Sequence, residues 1–462
     1  MQATPKLVPS LAPKSLLALA TLAALGLPAV PAAAQTPLGL AAAQPSYTLT
    51  DLGTLPDGGY SIVSGVNDSG QVAGNSGTTG HIANTATHAF LSGANGAGLK
   101  DLGTLGGRDS HGRAVNASGQ VTGESFMTGT TATHAFLSGP NGTGLKDLGA
   151  LGGAISFGRA VNGLGQVTGD AETTDYAVHA FLSGPNGTGL KDLGALPGGT
   201  SSAGYGVNAS GQVTGDAQTT GNAYHAFLSG PNGTGLKDLG TLPGGGYSYG
   251  TGVNASGQVA GYSTTTGNAY HAFLSGPNGT GLKDLGTLGG TSSFGLGVNG
   301  LGQVVGYSRT TGNADHAFLY TGGSMSDLNS LIAPGTGFTL TQASGISDTG
   351  FITGFGTNSA GQIDAFLLTP AAPRAAPVPE GSTTLSLGLM LVLGLGTLAL
   401  GLMLVLGLGT LALRARRRKA GEPSAQPEGR AYPAPAPVPH TRAPGPDPTP
   451  SGGAGASPPP PG

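Results

Sequence analysis

The stretch Tyr249–Leu285, YGTGVNASGQVAGYSTTTGNAYHAFLSGPNGTGLKDL, decides the fold. Four short strand-like runs stand out in it: Tyr249–Val253, Gln258–Tyr262, His271–Leu274 and Leu282–Leu285. The breaks between them are turn chemistry. Asn254-Ala255-Ser256-Gly257 fits a type I turn with a G1 bulge, in which Asn caps and Gly takes the left-handed position. Gly276-Pro277-Asn278-Gly279 carries the Asn-Gly pair of a type I′ hairpin, and the same pair recurs at Asn141, Asn186 and Asn232.

The same pattern recurs along the chain. His-Ala-Phe begins at His88, His134, His179, His225, His271 and His316, with a degenerate seventh copy at Asp364-Ala365-Phe366. The spacings are 46, 45, 46, 46, 45 and 48 residues. Val-Asn-x-x-Gly-Gln-Val places its Asn at Asn67, Asn116, Asn162, Asn208, Asn254 and Asn299, then degenerates at Ile346–Ile352. Asp-Leu-Gly falls at Asp51, Asp101, Asp147, Asp192, Asp238 and Asp284, then becomes Asp327-Leu328-Asn329. Four strands in ~46 residues is the size of a propeller blade.

The phase of the array sharpens this. It opens on an Asp-Leu-Gly strand, Tyr47–Gly53, with no partners before it, and closes on Asp364–Leu368, a His-Ala-Phe strand with no successor. Tyr47–Leu368 is 322 residues, seven times 46. Ring closure through one blade shared by the two ends requires this offset, whereas an open solenoid calls for atypical capping repeats. The expectation is an all-β, seven-bladed β-propeller of four-stranded repeats over 47–368, with a β-solenoid as the alternative. These markers resemble the HAF-repeat family of extracellular bacterial proteins; the resemblance implies export and a repeat fold, and supplies no activity and no catalytic residue.

Composition fits many short strands and tight turns. Gly is 88 of 462 residues, charged residues are 9%, and Cys and Trp are absent. The lack of Cys excludes disulfides, thiol nucleophiles and Cys-ligated zinc. Over Tyr47–Leu368 there are 9 Lys and Arg against 18 Asp and Glu, a net −9, while the remainder is +6. An acidic body lacks the electrostatic footprint of a nucleic-acid binder.

Both ends read as addresses. Lys6 and Lys14 precede the apolar run Ser15–Val30 and the small residues of Pro31-Ala32-Ala33-Ala34. That order predicts a signal peptide over 1–34, with Ala32 and Ala34 specifying cleavage; a short buried helix is the alternative. A linker, 369–384, leads to Leu385–Leu413, 29 residues without a charge, followed by Arg414, Arg416, Arg417, Arg418 and Lys419. This predicts a transmembrane helix with a basic stop-transfer cluster on the cytoplasmic side and the repeats outside. Gly388–Leu400 is duplicated letter for letter as Gly401–Leu413. Residues 420–462 hold 14 Pro in 43 positions and read as a disordered tail. Val378-Pro379-Glu380, then the apolar span, then the Arg cluster resembles the PEP-CTERM sorting signal. The resemblance implies an exosortase-type enzyme as partner, Val378, Pro379 and Glu380 being the sorting motif. Gly381 stands where that signal has its second Pro, and the signal ends soon after its basic cluster, whereas this chain continues. A plain single-pass anchor is the other reading.

Repetition argues against catalysis by any repeated residue. The His of His-Ala-Phe is expected to hydrogen-bond a neighbouring blade rather than to bind metal, and the Lys-Asp of Leu-Lys-Asp-Leu-Gly to form a solvated or cross-strand pair. No nucleotide loop, nucleophile elbow, metalloprotease motif or EF-hand occurs, and no metal, cofactor or catalytic residue is assigned. What breaks the repeat is more informative. After the second strand's Gly come Asn75, Glu124, Asp170, Asp216, Tyr262, Tyr307 and Phe355. Three residues before the turn Asn come Ser64, Arg113, Arg159, Tyr205, Thr251, Leu296 and Ser344. Arg113, Glu124, Arg159, Asp170 and Asp216 thus form one polar sector facing an apolar one. It reads either as a ligand site for a polar small molecule or glycan, or as interblade ion pairing. The functional expectation is a non-catalytic binding or structural envelope component, with a glycan-acting hydrolase or lyase as the alternative.

Overall fold

The structure is a computed structural model that describes residues 47–78 and 86–371. The leader with Ala32 and Ala34, the Val378–Glu380 motif, the span 385–413, the basic cluster and the Pro-rich tail lie outside the described residues.

The described chain is all β, joined by turns and short 3-10 segments. Sequential strands pair antiparallel, and each four-strand run forms a small sheet. Ser61–Val66, Val72–Gly77, Thr87–Ser92 and Leu99–Asp101 make the first complete one. Five sheets are four-stranded; the eight-stranded one consists of two such runs, Gly106–Asp147 and Gly152–Asp192, joined by a single parallel bridge between Ile155 and Thr133. The first strand of every run lines one axial cavity of about 200 Å³, so the sheets stand around an axis in a β-propeller arrangement. Tyr47–Asp51 completes the sheet of Thr339–Ile346, Ile352–Thr357 and Ile363–Pro370, in register from Tyr47 opposite Pro370 to Asp51 opposite Phe366. The two ends of the array share one sheet, as their phase predicts. A solenoid would hold them apart.

His-Ala-Phe-Leu explains how the sheets stack. Alternation along a strand sends Ala and Leu to one face and Phe to the other. Ala135 and Leu137 pack with Phe181 of the next run, and Ala180 and Leu182 with Phe227. The same contact closes the ring, where Ala365 and Leu367 meet Phe90. Phe90, Phe136, Phe181, Phe227, Phe273, Phe318 and Phe366 are all fully buried. Burying one such side chain is worth ~1.5–3 kcal/mol, so these repeated contacts dominate the packing.

Polar contacts follow the same circle. Each turn Asn caps its own turn through Oδ1 and donates Nδ2 to the next turn's Asn carbonyl: Asn116 to Asn162, Asn162 to Asn208, and Asn208 to Asn254, at 3.0 Å each. The series reaches Ser347 from Asn299, and Asp68 bonds the backbone of Asp348 to close it. A buried Ser on six of the first strands accepts from the preceding run's Ala amide, as Ser202 does from Ala180 at 2.8 Å. At Gly119 a φ of +70°, and a Cβ position that would lie 3.1 Å from the Asn141 backbone, demand glycine. On the second strand, a Cβ at Gly169 would fall 1.7 Å from the Phe157 carbonyl, which explains the repeated Gly there.

Two expectations are corrected in detail. The His of His-Ala-Phe does not bond a neighbouring blade: His134 Nδ1 meets Asp147 at 2.9 Å and His179 meets Asp192 at 2.9 Å, each on the adjacent strand of the same sheet. Lys and Asp of Leu-Lys-Asp do not pair with each other. Asp takes His, while Lys146 Nζ donates to the Asn186 and Gly187 carbonyls of the next run at 2.9 and 2.8 Å.

Because Phe227 has no exposed surface and spans a seam between sheets, Phe227→Ala is expected to cost ~3–5 kcal/mol. Urea unfolding of the full chain, compared with wild type, measures it; a loss below ~1 kcal/mol would contradict the packing described.

Candidate functional site

A repeated β-bulge builds the site. In each first strand the pairing register slips at the residue three before the turn Asn: Arg113 lies in the slip between Gly112 and Ala114, and Arg159 in that between Gly158 and Ala160. Tyr205, Thr251, Leu296, Ser64 and Ser344 occupy the same place. A bulge re-aims its side chain, and Arg113, Arg159, Tyr205 and Thr251 all line the axial cavity. The following position is Gly or Ala throughout, because the first strands converge there; a Cβ on Gly206 would lie 3.0 Å from the Gly252 Cα.

The second series faces the same strands. Glu124 lies opposite His111, Asp170 opposite Phe157, Asp216 opposite Ala203, Tyr262 opposite Tyr249 and Tyr307 opposite Phe294. Two halves result.

The polar half is closed by ion pairs. Arg113 Nε lies 3.1 and 3.0 Å from the two Glu124 oxygens, and its Nη2 also bonds Oε1. Arg159 Nε donates to Asp170 Oδ1 at 2.9 Å. Glu124 and Asp170 are 4% and 8% exposed, so these are buried carboxylates that require their partners. Both pairs lie within one sheet, not between blades. For Arg159, burial works against the charge, but Asp170 and its hydrogen bond outweigh it and hold the guanidinium protonated more firmly than usual. His111 is pushed down by burial and by Arg113, against the opposing pull of Glu124 and Asp109.

Asp216 differs. Its repeat supplies Tyr205 where the two preceding repeats supply Arg. Burial first, and the nearby Asp170 charge next, push its carboxyl up to about 6, although the Tyr205 hydroxyl bonds it and Arg159 pulls the other way. Asp216 is 6% exposed, and its Oδ1 is buried without a hydrogen-bond partner.

The other half is aromatic. Tyr249 and Tyr262 stack at 5.0 Å, Phe294 meets Tyr262 edge-on at 5.0 Å, and Phe294 stacks on Tyr307 at 4.7 Å. Burial pushes the Tyr249 hydroxyl up to about 12 and that of Tyr262 higher still, so both stay neutral donors and acceptors. A cation already sits among aromatics at the border: the Arg159 guanidinium lies 5.1 Å from the Phe157 ring and 5.8 Å from that of Tyr205.

The structure therefore joins Arg113 to Glu124 and Arg159 to Asp170, with Asp216 close to Asp170 and Arg159, while Arg113 and Arg159 line the axial cavity. The sequence reading omitted His111, Phe157, Tyr249 and Phe294, and gave Tyr205 no role. The signal for the first four was the residue two places before the bulge, which repeats in phase with the series it did follow. Among the described residues, no group of three or more His, Asp or Glu converges as a metal ion would need.

No protein-family model matches the chain, and no curated protein matches it. Solved structures similar in fold include TolB from Acinetobacter baumannii, with 12% identity over 61% of this chain and 60% of that one and a TM-score of 0.36. YCF48 bound to D1 peptide shows 13% identity over 72% of this chain and 98% of that one, with a TM-score of 0.43. Trypanosoma rangeli sialidase shows 10% identity over 70% and 59%, with a TM-score of 0.33. This chain thus spans about 60% of the length of the TolB chain. At these identities and scores the likenesses transfer no activity.

Two outcomes follow. Asp216 binds its proton more tightly folded, at about 6, than at its ordinary 3.8. Its contribution is complete below ~pH 4 and lost as pH rises through ~6, lowering stability by up to ~3 kcal/mol, and Asp216→Asn is expected to remove that slope. Urea melts of both proteins from about pH 4 to pH 7.5 test this; parallel curves would refute it. Arg113→Met strands the buried Glu124 and is expected to cost ~3–5 kcal/mol, whereas Arg113→Met with Glu124→Leu recovers most of the loss. A double-mutant cycle reads the coupling, and additive losses would show that the pair is not buried together.

Proposed function

We propose that the chain is an exported, envelope-associated binding protein with no reaction of its own, built as a seven-bladed ring. Counting each four-strand run, and the sheet shared by the ends, as one blade gives that number. One observation carries the binding role. The repeated polar side chains are consumed by structure: His by Asp, four of the five Lys by turn carbonyls and Lys283 by the Tyr320 ring, Asn by the next turn. The side chains that depart from the repeat gather on the first and second strands, beside the axial cavity that the bulge residues line. There, paired charges face a wall of tyrosines, a combination suited to a polar small molecule or glycan that offers both hydroxyls and an apolar face.

Export rests on the leader and on the resemblance to HAF-repeat proteins. Attachment rests on Leu385–Leu413 with its basic cluster, and sorting by an exosortase-type enzyme on Val378, Pro379 and Glu380. A second reading, a glycan-acting hydrolase or lyase, draws on Asp216, whose carboxyl titrates at about 6, within the range of a general acid. Arg113 and Arg159 bond Glu124 and Asp170, which argues against free acid–base carboxylates beside it.

A glycan panel probed with the full chain, read for both retention and product release, tests the choice. Retention without product is expected, weakened at least ~10-fold by Tyr262→Leu. Turnover abolished by Asp216→Asn, in a variant whose thermal melt shows that it folds, would establish the enzyme, and no retention of any glycan or small polar ligand would defeat the binding role. In cells, one tag after Gln35 and another in the tail should part company if the C-terminal segment is cleaved; both tags on one membrane chain would leave a simple anchor.

A further inference from the structure

Compare the three acidic repeats. In the first two, the carboxylate opposite the inner strand receives a guanidinium from the bulge residue of its own repeat: Arg113 for Glu124, Arg159 for Asp170. In the third the bulge residue is Tyr205, and Asp216 keeps the acid without the cation. Beyond it, acid and cation both disappear: Thr251 stands with Tyr262, and Leu296 with Tyr307. Asp216 is therefore the seam between the charged and aromatic halves. It is 94% buried, its Oδ1 has no partner, and Arg159 nearby is already bonded to Asp170.

We propose that the axial mouth binds an organic cation, an ammonium group on a small molecule or saccharide, which supplies the positive charge that the third acidic repeat omits. This rests on the binding role proposed above and names the ligand's chemistry. Asp216 is the counter-charge, and Tyr205, Tyr249 and Tyr262 are the aromatic surroundings. The mouth's own composition argues for a cation. Two guanidiniums stand against three carboxylates, so an anion would add to an existing excess of negative charge. A neutral hydroxyl could meet Oδ1 but would leave the charge uncompensated in a site of low polarity. An organic ammonium compensates that charge, and aromatic rings favour it when water is displaced. The Arg159 guanidinium, held between Phe157 and Tyr205, shows a cation so accommodated at the border of this mouth.

The groups facing Asp216 are Arg159 and Asp170 from the preceding repeat, Tyr205 from its own, and Tyr249 and Tyr262 from the next. The tyrosines remain neutral and Arg159 remains charged across the range tested. Binding should therefore strengthen as Asp216 ionises.

The test uses the full chain and three probes in calorimetry: choline, whose charge does not depend on pH; 3,3-dimethylbutan-1-ol, its uncharged isostere; and cellotetraose, a neutral saccharide. Choline is expected to bind about tenfold more tightly than its isostere, and about tenfold more tightly at pH 7.5 than at pH 5. Asp216→Asn should abolish the pH dependence and most of the affinity. Tyr262→Leu should weaken choline binding while leaving its pH dependence, and thermal melts of both variants confirm that they fold. Equal binding of choline and its isostere, or choline binding unchanged in Asp216→Asn, overturns the proposal. If cellotetraose alone binds, and equally well to Asp216→Asn, the cation site falls while the binding role stands. If no probe binds, the cation site falls, and the role rests on the glycan panel.

Discussion

The contact between an Ala/Leu face and the next run's Phe is what the rest of the structure depends on. A lone four-stranded sheet of this chain has two apolar faces and no partner for either. His-Ala-Phe-Leu gives each third strand one small-and-medium face and one large face, so every sheet fits its successor as its predecessor fits it. Such a heterologous contact generates either a ring or an open stack, and what decides between them is whether the rotation closes. Here it closes where Ala365 and Leu367 take Phe90, and Tyr47–Asp51 pairs with Ile363–Pro370 to lock the closure with backbone hydrogen bonds. Tertiary packing and chain topology thus reinforce one another at a single sheet. The closing sheet is also where the repeat is most degraded, with Asp364 for His and Ser347 for Asn. The Ala/Leu-to-Phe contact persists at this seam, so the His and Asn positions can vary there without opening the ring.

The fold was legible because its determinants are local and repeated. Asn-x-x-Gly and Asn-Gly dictate turns through the positive φ of their Gly and Asn, and the structure shows those values at Gly165, Asn186 and Gly187. The split phase needed only the order of motifs. What remained hidden were relationships between strands. The partner of His134 lies thirteen residues on, a spacing kept in five copies, yet nothing in one sequence distinguishes a cross-strand bond from a contact between blades. Lys146 reaches a turn 40 residues ahead, which only stacked sheets bring near.

The site was half legible for a related reason. Arg113, Glu124, Arg159, Asp170 and Asp216 stand out as departures from a repeat, and departures can be read from one chain. The bulge that aims the Arg residues at the axis is a slip of register between two strands, invisible in either alone. Without it, Tyr205 is one more aromatic in a strand. With it, Tyr205 stands where Arg159 stands one repeat earlier, and the carboxylate behind it changes character. Burial first, and the Asp170 charge with it, raise the Asp216 carboxyl, and the Tyr205 hydroxyl and Arg159 oppose that rise without cancelling it.

The distribution of variation follows from the geometry of converging strands. At their turn ends the first strands are held by the circle of Asn-to-carbonyl bonds, and Gly or Ala is required where backbones approach within van der Waals contact. A change there would disturb two neighbours as well as its own sheet. At the bulge and just before it, only a cross-strand partner must be matched: Arg with Glu, Arg with Asp, Tyr with Tyr. Each repeat can therefore exchange its pair without touching the contacts that close the ring, and the wall of the axial cavity is free to acquire chemistry. Asp216 is the one acid of that series whose partner position holds no cation, and its buried, unpartnered oxygen is a cost that folding alone gives no reason to bear.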